Sequence, residues 1–154
     1  MQEHFFADYL ERLEDLQRRL HAEIQELPAE AIDWIPGEGM NSVAVLLTHT
    51  AGSLRYWIGD MALDDPSGRV RQREFQTQGL PGAELLRRLD EVFEYASSHL
   101  PRLRLEELEK EHRSQGYGVV TCGWALLHAL EHSYLHLGHV QITCQLWKQS
   151  GRPD

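Results

Sequence analysis

Apolar residues recur at intervals of three and four through residues 3–26, at Phe6, Tyr9, Leu10, Leu13, Leu16, Leu20 and Ile24. That spacing places them on one face of an amphipathic helix. LPAEAIDWIPGEGMNS (27–42), with two prolines and two glycines, predicts a connection. Asn41 or Ser42 then offers an N-cap for a second helix over 43–60. LDDPSGRVRQREFQTQGLPG (63–82) is polar and punctuated by Pro and Gly, so it reads as a long loop that carries function or covers something. Helical spacing resumes over 83–99 through Leu85, Leu86, Leu89, Val92, Phe93 and Ala96. Pro101 stops that helix, and LRLEELEKEHRSQGYGVV (103–120) reads as a short helical turn followed by a glycine-marked loop. Thr121 caps a last helix that can run to Lys148. Four long helices without a convincing alternating strand predict an all-α fold: a four-helix bundle with long connections, in one domain over 1–154. The length of the second connection argues against a simple up-down-up-down path.

Composition narrows the function. At 154 residues, 42% hydrophobic and 25% charged, the chain has the make-up of a soluble globular protein. No apolar run approaches the roughly 20 residues of a membrane-spanning helix. The start, MQEHFFADYLERLEDLQRRL, lacks the apolar block of a secretion signal, which predicts a cytoplasmic protein. A net charge of −9 offers no basic footprint for displacing counterions from phosphate, which argues against nucleic acid as a partner. The densest basic cluster, Arg69, Arg71 and Arg73, lies beside Asp64, Asp65 and Glu74. Cys122 and Cys144 on one helix would stand about 33 Å apart, far beyond disulfide reach.

The candidate chemistry lies in HALEHSYLHLGHVQIT (128–143), which carries His128, His132, His136 and His139. On a wheel of about 100° per residue, Glu131, Tyr134, Gln141 and Gln145 mark the polar side of this helix. His132 and His136 then fall opposite, beside Ala125 and Ala129, while His128 and His139 sit nearer the border. In helix 43–60, Thr48 and Arg55 mark the polar side, so Leu46, Ser53 and Trp57 face inward with His49 at the edge of their arc. Three inward histidines from two helices can therefore meet. Imidazoles one turn apart point the same way, and a third from a facing helix completes a triangular set for Zn²⁺, Ni²⁺ or a similar ion. Three neutral imidazoles leave a position open, where a thiol or water would lose its proton near neutral pH. The rival reading, hydrogen-bonded core histidines, stays open on the residues alone. HALEH (128–132) also fits the H-x-x-E-H pattern of an inverted zinc peptidase, although Glu131, the base it would need, lies on the polar side. His4, His21, His99 and His112 lack such company and read as surface or structural residues.

GMNSVAVLLTHTAGSLRYWIGD (39–60) and GWALLHALEHSYLHLGHVQITCQLW (123–147) resemble the DinB-like superfamily of four-helix-bundle metalloproteins, which includes the YfiT-like proteins and small-thiol-dependent transferases. The family pattern has one histidine in the second helix with Gly and Trp after it, then an H-x-x-x-H pair with a nearby Gly in the last helix. It falls on His49, Gly52 and Trp57, and on His132, His136 and Gly138. DDPSGRVRQREF (64–75) is similar to an Arg and Glu-Phe segment of some members, and the likeness runs from Trp34 to Trp147.

The resemblance implies one divalent ion, Zn or Ni with Fe or Mn as further options, held by His49, His132 and His136 at one end of the bundle. It also implies a small-molecule substrate, often a homodimer, and in some members a low-molecular-weight thiol. His128 and His139 are extra to the pattern and read as outer partners of the ligands or as polar neighbours. Arg69, Arg71 and Arg73 could meet the carboxylates of an anionic thiol or belong to a solvated loop. No inward carboxylate stands out as a general base; Asp60 is the one candidate and lies too far from His49. Base work would then fall to the metal-bound water or thiol itself. The expectation is a metal-dependent transferase or hydrolase, against the alternative of a non-catalytic metal- or ligand-binding, stress-related dimeric bundle.

Overall fold

The computed structural model describes residues 2–151, so Met1 and residues 152–154 of the expected 1–154 domain lie outside the described residues. Along the chain run α1 (Gln2–Ile24), α2 (Ala29–Asp33) and α3 (Val43–Arg55), which continues into a π-helical segment, Tyr56–Asp60. Then come α4 (Arg71–Glu74), α5 (Gly82–His99), short 3₁₀ turns at Leu100–Arg102 and Leu105–Glu109, strands β1 (Glu111–Ser114) and β2 (Gly118–Thr121), and α6 (Cys122–Gln149).

The long helices α1, α3, α5 and α6 form a four-helix bundle. Both α1 and α3 pack against α5 and α6. Consecutive long helices α1 and α3 thus sit diagonally across the bundle, and the path is not a simple up-down meander. The α1 stripe expected from spacing is the buried one: Phe6, Tyr9, Leu13, Leu16, Leu20 and Ile24 are buried, and only Leu10 is half-exposed. The Tyr9 hydroxyl donates to the Leu126 carbonyl at 2.8 Å, tying α1 to α6. Two side chains start the helices that matter most. Ser42 Oγ accepts from the Val45 amide at 3.2 Å, and Thr121 Oγ1 accepts from the Trp124 amide at 3.1 Å, each satisfying an otherwise orphaned donor. Among the described residues no helix is long and apolar enough to cross a membrane.

Four expectations need correction. The 103–120 excursion is not turn and loop alone: β1 and β2 form an antiparallel hairpin in which Glu111 pairs with Thr121 and Ser114 with Gly118. Four-residue strands are too short for alternation to show, and only Ser114 and Val120 are buried. The 27–42 connection contains α2, and the 63–82 loop contains α4. The helix over 43–60 widens to a π-helical turn for its last five residues. There Gly59 lets the Arg55 guanidinium pass, because a Cβ on Gly59 would lie 1.6 Å from Arg55 Nη1. Arg55 then donates to the Asp65 carbonyl at 3.0 Å and to Asp65 Oδ2 at 2.8 Å. Asp60 Oδ1 accepts from the Ser67 amide at 3.0 Å. These bonds pin the start of the loop that delivers Arg69 and Glu74.

Leu89 on α5 is fully buried at the centre of this core. Leu89→Ala should cost about 2–5 kcal/mol of stability through lost burial and the cavity left behind. Urea denaturation should register this as a lower midpoint with an unchanged slope.

Candidate metal centre

His49 reaches the middle of the molecule from α3 and is buried, while His132 and His136 come from successive turns of α6 and are half-buried. His49 Nε2 lies 3.0 Å from His132 Nε2, and His132 Nε2 lies 3.1 Å from His136 Nε2. All three offer a ring nitrogen within 4.8 Å of one another, a set that could hold a metal ion. Nitrogens in a tetrahedral zinc site stand about 3.3 Å apart, given Zn–N bonds of about 2.0–2.1 Å. The spacing of the residues present therefore fits such an ion with little adjustment.

The wheel put His132 and His136 at the centre of the buried face of α6, and the structure places them on its shoulder. The buried stripe runs through Ala125, Ala129, Ser133, Leu137, Val140 and Cys144. Two of the supposed polar markers misled. The Tyr134 hydroxyl donates to the Arg12 carbonyl at 3.0 Å, and Gln141 Nε2 donates to Glu23 Oε1 at 3.2 Å, so both lean on α1. Leu127 and Leu135 are instead exposed. This shoulder position gives the triad one wall of protein and one side toward solvent.

A carboxylate that the sequence reading passed over holds His49. Glu74, buried on α4, accepts from His49 Nδ1–H through Oε2 at 2.7 Å. Arg69 clamps the same carboxylate, Nε to Oε1 at 2.5 Å and Nη2 to Oε2 at 2.8 Å. Burial alone would raise the Glu74 pKa, but the Arg69 hydrogen bonds, then those of His49, outweigh it and hold the carboxyl below its ordinary range. Gly52 makes the approach possible: a Cβ there would sit 2.1 Å from Glu74 Oε1 and 3.3 Å from Arg69 Nε. The usable signals were the Glu-Phe pair in the 64–75 segment and a glycine one turn after His49. Asp60, the carboxylate considered instead, is occupied with Ser67 and stands 3.7 Å from Arg55.

Burial, and next the charges of neighbouring histidines, push His132 down to about 4 and His136 down to about 3, so both rings are neutral at pH 7 and free to ligate. His139 Nδ1 lies 3.3 Å from His136 Nδ1, on the side away from the triad. His128 makes no polar bond to the three. Its ring stacks on Trp124 at 4.8 Å and on His132 at 5.5 Å, and it meets Trp57 at 4.7 Å. Phe75 packs on His49 at 5.0 Å, and the Arg71 guanidinium lies 4.8 Å from the centre of the Phe75 ring. His21 pairs with Asp90, His99 with the Tyr95 carbonyl and His112 with Asp64, all apart from the triad. Cys122 and Cys144 are buried free thiols whose pKa values burial raises, that of Cys144 to about 11, so neither supplies a thiolate.

The sequence pattern of the DinB superfamily matches residues 12–140. No curated protein matches the chain. Among solved structures, YfiT from Bacillus subtilis, described as a probable metal-dependent hydrolase with an unusual four-helix bundle topology, is 15% identical. It superposes with a TM-score of 0.77 over 99% of this chain and 91% of that one. A conserved protein from Enterococcus faecalis is 18% identical, with a TM-score of 0.70 over 90% of this chain and 94% of that one. A candidate member of the DinB family from Exiguobacterium sibiricum 255-15 is 21% identical, with a TM-score of 0.65 over 97% and 96%. At these identities the likeness carries the fold.

Two outcomes follow from the geometry. Gly52→Ala should unseat Glu74, so the His49 Nδ1–H resonance, which its buried bond to Glu74 should protect in the parent protein, should vanish from the variant's NMR spectrum. His132 and His136 titrate in the folded state below the unfolded value of about 6.5. Their contribution to the stability of metal-free protein is therefore full above that value and is lost as pH falls toward 4 and then 3. Denaturation between pH 7 and 4 should show a shallower decline in His136→Ala than in the parent.

Proposed function

The chain belongs to the DinB superfamily, and on that premise we propose that it is a metal-dependent enzyme whose single divalent ion is held by His49, His132 and His136. The observation that supports this best is the convergence of three imidazole Nε2 atoms from two helices, one of the rings backed by a buried carboxylate. Zinc or nickel suits the all-imidazole donor set, with iron or manganese less favoured. A bound ion of this kind supplies a Lewis acid that brings the pKa of a water or thiol near neutrality. The substrate is a small electrophile that undergoes hydrolysis or thiol transfer. The description of YfiT as a probable metal-dependent hydrolase favours water as the attacking group.

The chain's own residues do the positioning. Glu74 accepts a hydrogen bond from the Nδ1–H of His49, which leaves the Nε2 lone pair aimed at the other two rings. Arg69 keeps Glu74 ionised and fixed. His139 stands behind His136 as its outer partner, and His128 with Trp57 and Trp124 walls the flank of His132. One observation favours a second reading, a non-catalytic metal-binding module: Glu74 is committed to His49 and Arg69 and is not free to act as a base.

We also place a homodimer contact on the outer face of α6. Leu127, Leu135 and Ile142 are 63%, 56% and 45% exposed there, and a Cβ built on Gly138 between them would point into open space. An apolar helix face with a glycine at its centre suits close packing against a second copy.

Metal analysis after zinc or nickel loading should give one ion per chain, lost in His132→Ala. Glu74→Gln should weaken binding roughly 10- to 100-fold, the usual cost of removing such a partner. Turnover of ester, amide or thiol-acceptor substrates that requires the ion and disappears in His132→Ala separates the enzyme from the binding module. Sub-stoichiometric metal under every loading condition would leave the histidines structural. Light scattering should find a dimer that Leu135→Glu dissociates.

A further inference from the structure

On the far side of Glu74 from His49 lies a groove of about 380 Å³ between α3, α5 and the 67–74 segment. Ala51, Val70 and Val92 supply its apolar surface, and Val70, 46% exposed, is a large aliphatic side chain left in the open. Thr48 Oγ1 is buried at the groove lining without a hydrogen-bond partner. Four guanidinium groups border it: Arg55, Arg69, Arg73 and Arg88.

Charge decides what such a groove suits. Arg55 is paired with Asp65 at 2.8 Å, Arg69 with Glu74 at 2.5 Å and Arg88 with Glu84 at 2.7 Å. Arg73, exposed on α4, makes no ion pair among the described residues. The groove thus carries one uncompensated positive charge beside an aliphatic surface. A dianion such as phosphate needs more than one free cation and gains nothing from Val70, Ala51 and Val92. A monoanion with an apolar body uses both features, and a volume of this size accommodates a short-chain organic acid. Guanidinium and carboxylate match in planar, two-pronged geometry.

We infer that this groove is a second binding site, distinct from the histidine triad, for a small organic carboxylate whose charged end meets Arg73 and whose apolar body covers Val70, Ala51 and Val92. The site shares the Arg69–Glu74 pair with the triad as a common wall but does not need an ion at the histidines.

The test uses sodium hexanoate as probe, with 1-hexanol and inorganic phosphate as controls, followed by ¹⁵N NMR of the full chain at low salt. Hexanoate should shift the amides of Ala51, Gly52, Gly68 and Val70 saturably, and both controls should bind at least tenfold more weakly. Arg73→Gln, a change at an exposed position, should lose at least tenfold in hexanoate affinity. His132→Ala should bind hexanoate as the parent does, which separates this site from the metal reading. Absence of saturable shifts, phosphate binding as tight as hexanoate, or an Arg73→Gln variant with parental affinity would each overturn the proposal.

Discussion

Three imidazole nitrogens gathered within 4.8 Å of one another impose the constraint on which the site depends. With its Nδ1 proton committed to Glu74, His49 presents a lone pair at Nε2. His132 Nε2 faces that lone pair at 3.0 Å and itself lies 3.1 Å from His136 Nε2. A single ring proton can serve one linear hydrogen bond, so one of the two contacts always lacks a hydrogen between its nitrogens. A cation at the centre satisfies all three lone pairs together. Charging the rings is no substitute, since burial and mutual repulsion drive the His132 and His136 pKa values down to about 4 and 3. The same burial that disfavours protons keeps the rings in the form a metal binds.

Holding that arrangement requires structure well outside the three rings. His49 is fixed by Glu74, Glu74 by Arg69, and both by the absence of a side chain at Gly52. The loop bearing Arg69 and Glu74 is pinned in turn by Arg55 and Asp60, with Gly59 clearing the path of the Arg55 guanidinium. Two glycines on one helix thus each admit a polar side chain from another turn or segment. The π-helical widening at Tyr56–Asp60 belongs to the same apparatus, because it brings Trp57 onto His128 beside the triad. Such irregularities inside otherwise regular helices concentrate near functional sites.

The bundle was legible in the sequence because its helices are long and their apolar stripes regular: six of the seven apolar positions singled out in α1 are buried. His49, His132 and His136 could be brought together on paper because helical phase converts spacing into direction. What stayed hidden depended on tertiary contact. The hairpin 111–121 has strands too short to alternate visibly, and Tyr134 and Gln141 looked solvent-facing until α1 supplied their partners. Glu74 was hidden for a different reason. It sits in a polar stretch beside three arginines, where a carboxylate reads as one more solvated charge, and only the fold of the 63–82 segment reveals that it is buried.

That segment also explains why the triad and the groove behind it are better viewed as two faces of one wall. Arg69 and Glu74 compensate each other, so the wall between the histidine cluster and the groove is itself nearly neutral. Replacing Arg69 alone would leave Glu74 as a buried charge whose remaining partner is the His49 ring, a costly state that favours taking up a proton. A protonated Glu74 would no longer be the strong acceptor that sets the tautomer of His49. The arginine is therefore as much a part of the histidine geometry as the carboxylate it touches, although it never reaches the rings' shared centre.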